Sequence, residues 1–172
     1  MPAIGRPGKD EAASYYSTYI DRVTTADVNA YLIQQRDESV KLLSTITEDK
    51  SLYKYDPAKW SIREMLNHLN DTERIFTHRA LWFGRGLPAS LPSFDQNIAA
   101  PAAAADQISW SAHVEEFRNI RAATISLFAN LPADAWAKTG IASDNRVSVR
   151  ALAYITAGHV DHHLAILRER YL

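Results

Sequence analysis

The sequence predicts an all-α protein, a four-helix bundle with long connecting loops. Three observations carry that expectation. Four stretches of roughly 20 residues repeat their apolar side chains at helical spacing. Each opens on a residue type that caps helix N-termini. No stretch alternates apolar and polar residues long enough to build a sheet. At ~1.5 Å rise per residue each helix would run ~30 Å, long enough for four to share one buried core. The 172 residues are expected to form a single domain, 1–172, with 1–14 as a loosely ordered N-terminal segment.

The first helix is expected over "TTADVNAYLIQQRDESVKLLSTI", where Thr24 and Asp27 give a capping-box-like start. Val28, Leu32, Ile33, Val40, Leu43 and Ile46 follow helical spacing, interrupted by Gln35 and Arg36. The aromatic, turn-rich "DKSLYKYDPAKW" leads to the second helix, "SIREMLNHLNDTERIFTHRALWF". That helix opens on Ser61 with Glu64 three residues later and stops near Gly84 and Gly86. A long loop through Pro88, Pro92 and Pro101 should wrap one end of the bundle. The third helix, "SWSAHVEEFRNIRAATISLFANL", ends before Pro132. "LPADAWAKTGIASDNRV" reads as one short helix and a bent connector, and Ser148 then caps the fourth helix.

Composition removes several classes of function. The chain is 47% hydrophobic and 23% charged with a net charge of −1, which gives no electrostatic case for nucleic acid or an anionic membrane. No apolar stretch approaches the roughly 20 residues that span a bilayer. The N-terminus has no hydrophobic core followed by a cleavage site, so no secretory signal is expected and a cytoplasmic location is. With no cysteine there is no disulfide, thiolate zinc site or cysteine nucleophile, and any metal must be held by nitrogen and oxygen. Trp60, Trp82, Trp110 and Trp136 fall near helix ends and loops. They either plug the ends of the bundle core or join two copies, and a homodimer is expected because dimers are the commonest oligomer.

Three of the six histidines, His159, His162 and His163, fall within five residues. Helical residues advance about 100° each, so the face of every ring can be read. In the second helix Met65, His68, Leu69, Thr72, Ile75 and Phe76 share one stripe, which places His68 inside. In the fourth, Leu152, Ile155, Thr156, His159, His163, Ile166 and Leu167 place His159 and His163 inside, one turn apart. His162 leans to one side, and Asp161 falls on the opposite, solvated face. An interior histidine is more often a hydrogen-bonded core residue than a ligand. A pair one turn apart on an apolar face can instead chelate one ion, and burying both rings without partners costs free energy. With His68 added, the three form a candidate metal site.

The other polar residues of these helices carry two readings each. His78, roughly 15 Å along the axis from His68, is expected at the surface or rim, as is His113. Asp71 either orients a ring or water beside the site or is a solvated carboxylate, and His162 is a candidate neighbour of the ligand rings. Glu73 points away from His68 and reads as structural. Arg79 and Arg85 either hold a substrate carboxylate or complement the helix dipole, the dipole role being preferred.

The segments "KWSIREMLNHLNDTERIFTHRAL" and "AYITAGHVDHHLAILRERY" resemble the DinB family of DinB/YfiT-like metalloenzymes. The shared pattern is Trp60 before the second helix, His-x-x-Asp-x-Glu from His68 to Glu73, and Gly-His-x-x-x-His from Gly158 to His163. The likeness extends through "LPSFDQN" and runs from about Tyr15 to the end. It implies a four-helix bundle with a divalent metal (zinc, nickel or manganese) at one end, bound by three histidines. Position by position these are His68, His159 and His163, the three that the helix faces select. The resemblance also implies an enzyme acting on a small-molecule substrate. Thiol-dependent S-transferase chemistry with a low-molecular-weight thiol comes first, and metal-dependent hydrolysis is the alternative. Outside enzymes, the reading is a non-catalytic metal- or small-ligand-binding protein. Each ligand must be a neutral imidazole, so metal affinity is expected to fall below about pH 6.

Overall fold

The computed structural model describes residues 4–88 and 90–172. Its helices, in chain order, are α1 (Ser17–Ile20), α2 (Val28–Leu43), α3 (Glu48–Ser51), α4 (Ile62–Gly84), α5 (Gln96–Ala102), α6 (Trp110–Ala129) and α7 (Val149–Ile166). The four long ones, α2, α4, α6 and α7, are those the apolar spacing predicts. Side-chain caps fix their starts by satisfying backbone N–H groups that have no partner within the helix. Ser61 and Glu64 form a reciprocal capping box on α4. Ser109 and Ser148 cap α6 and α7 by accepting from Ala112 N and Ala151 N. In α2 the cap is Asp27, whose carboxylate accepts from Ala30 N at 3.0 Å, so this helix starts later than the Thr24 signal implies.

The connectors hold more structure than expected. The proline-bearing loop contains α5, capped by Asp95, and a 3-10 turn over Ala105–Gln107. The bent connector before α7 is a short helical turn, Ala133–Ala137, followed by an antiparallel hairpin. Its strands are β1 (Thr139–Ala142) and β2 (Asn145–Ser148). Ser143 and Asp144 between them both take positive φ, 51° and 60°, the conformation that a two-residue hairpin turn matching strand twist requires. Four-residue strands are too short to show an alternating pattern. After Ile166 the chain widens into one π turn, Leu167–Tyr171.

Helix α4 packs against α6 and α7, and α2 packs against the same two. The successive long helices α2 and α4 therefore sit on a diagonal, as do α6 and α7, which is why both pairs need long connectors. The core divides into two apolar clusters. One gathers Leu32, Phe76, Phe83, Phe128, Trp136 and Ile155; the other gathers Leu43, Leu66, Trp110, Phe117, Val160 and Leu167. Trp110 and Trp136 thus fill this chain's own interior, while Trp60 and Trp82 are partly exposed.

Between the clusters lies a polar layer that ties all four long helices. Arg121 is fully buried and donates to Glu73 at 2.7 Å and to Gln35 at 2.5 Å. Thr124 donates to the other Glu73 oxygen at 2.7 Å. Gln35 in turn donates to Ala157 O at 2.8 Å and to Asp161 at 2.6 Å, and Tyr31 donates to Asp161 at 2.7 Å. Glu73 is structural, as expected. Asp161 does not face open solvent, because α2 covers that side of α7 and supplies both of its donors.

Residues 1–3 of the expected loose N-terminal segment lie outside the described residues. The rest is anchored: Glu11 pairs with Arg150 at 2.5 Å and accepts from Ser148 Oγ at 2.7 Å. Helix α1 then lies against α7 so closely that a Cβ on Gly158 would stand 2.0 Å from the Tyr19 carbonyl oxygen. A glycine inside a helix costs about 1 kcal/mol relative to alanine. Here it is the residue that lets two backbones touch. Among the described residues no helix is long and apolar enough to cross a membrane.

Candidate metal centre

His68 from α4 and His159 and His163 from α7 come together where the two apolar clusters meet. One ring nitrogen from each lies within 4.8 Å of the others. His68 and His159 approach most closely, Nε2 to Nε2 at 3.2 Å, although 91 residues separate them in sequence. The His68 ring centroid is 5.0 Å from that of His163, and His159 is 4.6 Å from His163. A tetrahedral ion with ligand bonds of ~2.0–2.1 Å spaces its nitrogens by about 3.3 Å, so the His68–His159 separation already matches. The donor set, three imidazoles and no thiolate, suits zinc or nickel better than manganese, which prefers oxygen ligands. The resemblance implied a site at one end of the bundle; the three rings sit instead between the two halves of the core.

Packing fixes how the rings are presented. Thr72 Oγ1, one turn after His68, is 3.3 Å from His68 Nδ1, which leaves Nε2 facing His159. Trp60 tilts against the other side of His68 at 4.9 Å, and Tyr19 and Phe76 present ring edges to His159 at 5.2 and 5.8 Å. His68 and His159 are each only 5% exposed. Burial pushes His68 from its ordinary 6.5 down to about 4. It pushes His163 to about 3, helped by the nearby His68, His162 and Arg22 charges. His159 is held well below its ordinary value, first by burial and then by the His163 and His68 charges. All three therefore stay neutral, the form a ligand needs.

These shifts revise the pH expectation. Desolvation already keeps the folded rings neutral, so proton competition for the His68 nitrogen should begin toward pH 4 rather than below about pH 6. Bound metal is expected to survive dialysis at pH 5, measured by elemental analysis; half-release near pH 6.5 would contradict it. The metal-free protein behaves differently, because its unfolded state takes up protons from pH 6.5 downward while the folded rings do not. Stability is then complete above pH 6.5 and lost as pH falls toward 4, with His68 alone costing about 2 kcal/mol between pH 7 and 5. Urea melts at the two pH values measure that loss.

His162 stays outside the group. It is partly exposed, 5.1 Å from the His163 ring, with Nδ1 at 3.3 Å from Arg22 Nη2. Asp71 accepts from Asn67 at 2.9 Å and lies 3.5 Å from Arg74, so the orienting place beside His68 goes to Thr72. His78 is exposed, as expected. His113 is not at the rim: it is fully buried where α6 meets α4, donating from Nε2 to Ala105 O at 2.9 Å. Arg85 is exposed at the end of α4, as a dipole-complementing residue should be. Arg79 is instead buried, donating to Pro92 O at 2.9 Å and Ser143 Oγ at 3.0 Å.

A cavity of about 120 Å³ opens beside His68 and His159. Its walls include Tyr15, Tyr19, Thr72, Arg79, Phe94 and Ser143. Helical spacing finds Thr72, and Arg79 lies further along the same helix; the others come from the N-terminal turn and α1, the proline-bearing loop and the hairpin turn. The cluster "SYYSTY" was the available signal for the tyrosine wall.

A helical bundle whose facing helices turn three imidazoles onto one point beside a small cavity defines a bundle with an interhelical candidate metal centre. The chain belongs to the DinB superfamily, whose family model matches residues 31–167. Two solved structures from Bacillus subtilis share the fold. YfiT, described as a probable metal-dependent hydrolase with an unusual four-helix bundle topology, superposes with a TM-score of 0.69 at 13% identity, covering 86% of this chain and 87% of that one. The DinB-like protein YjoA superposes with a TM-score of 0.58 at 16% identity, covering 82% and 87%. Among curated proteins none matches this chain significantly.

Proposed function

We propose that this protein is a divalent-metal-dependent enzyme acting on a small molecule, with the metal held by His68, His159 and His163. The convergence of three neutral ring nitrogens beside a cavity carries this reading. Bound there, a divalent cation would supply Lewis acidity, polarising an electrophile and generating a nucleophile from water or an external thiol near neutral pH. The chain's own residues do the rest. Thr72 fixes the ring of His68, Trp60 and Phe76 exclude water from behind the ligands, and Tyr19 closes the side of His159 nearest the N-terminus.

Hydrolysis is the preferred reaction, reversing the order expected from the sequence, because the structurally similar YfiT is described as a probable metal-dependent hydrolase. Transfer of a low-molecular-weight thiol is the second reading. The chain has no cysteine, so the sulfur would have to come from outside. The test uses untagged protein stripped by a chelator and reloaded with zinc, nickel or manganese. It is assayed on ester and amide panels, and on electrophiles with and without thiol. Turnover that needs metal but not thiol is expected. A strict thiol requirement would favour transfer, metal-independent turnover would overturn the metal dependence, and no turnover in any arm would overturn the enzyme reading.

A further inference from the structure

Arg79 is 4% exposed, and among the described residues no carboxylate lies within ion-pair distance of it. Only its Nη2 is engaged, by the neutral acceptors Pro92 O and Ser143 Oγ. Its Nε and Nη1 make no hydrogen bond among the described residues, and both Arg79 and Ser143 line the cavity beside the histidines. Neither nitrogen is shut away from solvent, so cationic donors with no counter-charge are offered to whatever enters the cavity. No acidic residue lines this cavity.

The helix geometry gives the cavity two distinct ends. Arg79 follows His68 by three turns plus about 20°, so the two face the same way along α4, roughly 16 Å apart at the backbone. Thr72, Ile75 and Phe76 occupy the stripe between them, and Phe94 faces it from the proline-bearing loop. A ligand lying along this stripe meets imidazoles at one end, apolar side chains in the middle and a cation at the other end.

We propose that the cavity takes a small substrate with a carboxylate at one end, held by Arg79, and an apolar stem that presents its reacting group to the three histidines. The planar fork of arginine suits a planar carboxylate. This assignment rests on the enzyme reading above for the word substrate, but the anion site itself can be tested without metal. Arg79 also ties the loop at Pro92 to the hairpin turn at Ser143, so a merely structural role is the competing account.

The test is titration calorimetry on metal-free protein with hexanoate and with hexanamide, which share a stem and differ in charge. Metal-free protein removes direct coordination of the carboxylate, so the outcome is independent of whether the histidines bind metal. Wild-type protein is expected to bind hexanoate at least about tenfold more tightly than hexanamide, as a charge-assisted pair predicts. Arg79→Gln keeps a donor for Pro92 and Ser143 and is expected to lose that preference, while Arg85→Gln, at the exposed helix end, keeps it. Equal binding or no binding of the two probes by the wild type would overturn the proposal. So would a folded Arg79→Gln protein that still prefers hexanoate, or loss of the preference in Arg85→Gln. If Arg79→Gln does not fold, the two probes on the wild type still decide.

Discussion

Arg121→Leu is expected to destabilise the protein by about 3–5 kcal/mol, a large part of the stability of an ordinary domain. The Arg121 guanidinium is fully buried, and Glu73, its partner at 2.7 Å, is 3% exposed. Removing the cation leaves the Glu73 carboxylate inside the core with Thr124 as its remaining donor, and leaves Gln35 Oε1 without Arg121. The loss comes from stranding a charge rather than from the worth of the pair. Replacing both partners, Arg121→Leu with Glu73→Leu, should therefore recover most of it. Urea unfolding of the two single variants and the double variant forms the cycle. A double variant as unstable as the sum of the singles would mean that the damage is to packing and not to charge.

The same layer sets the height of α7. Gln35 holds the Ala157 carbonyl and Asp161, residues on either side of His159 along the helix. Arg121 holds Gln35 in turn. Sliding α7 by a single turn would carry His159 and His163 away from His68 by ~5.4 Å. The polar layer between the two apolar clusters thus specifies the register at which three imidazoles meet.

Legibility in the sequence followed period. The four long helices and the ring faces of His68, His159 and His163 are properties of single helices, and a 3.6-residue repeat displays them directly. Gln35 looked like a fault in the α2 stripe, yet it is buried there to reach α7 and Arg121. Asp161 looked solvated because its own helix cannot reveal that α2 covers it. His113 was misplaced for a similar reason: its burial depends on the turn at Ala105, which no helical stripe encodes. The cavity wall was hidden most completely. Opposite α4 and α7 it is assembled from the N-terminal turn and α1, a loop and a hairpin turn, and Gly158 permits the α1 contact without any periodic signal.

Metal stoichiometry of four proteins, the wild type and the alanine variants of His68, His162 and His163, tests the interhelical centre most directly. Each is purified without a histidine tag, reloaded with zinc at pH 7.5, dialysed and measured by elemental analysis. Circular dichroism checks that each remains helical. One ion per chain is expected in the wild type and in His162→Ala, whose ring lies outside the cluster of three nitrogens. His163→Ala should lose the ion, and so should His68→Ala, whose ring is 91 residues from His159. The zinc-dependent rise in melting temperature should vanish in the same two variants, because only a folded-state ligand stabilises by mass action. A folded His68→Ala protein that keeps full zinc would place the metal in a local C-terminal histidine cluster and contradict the three-histidine centre.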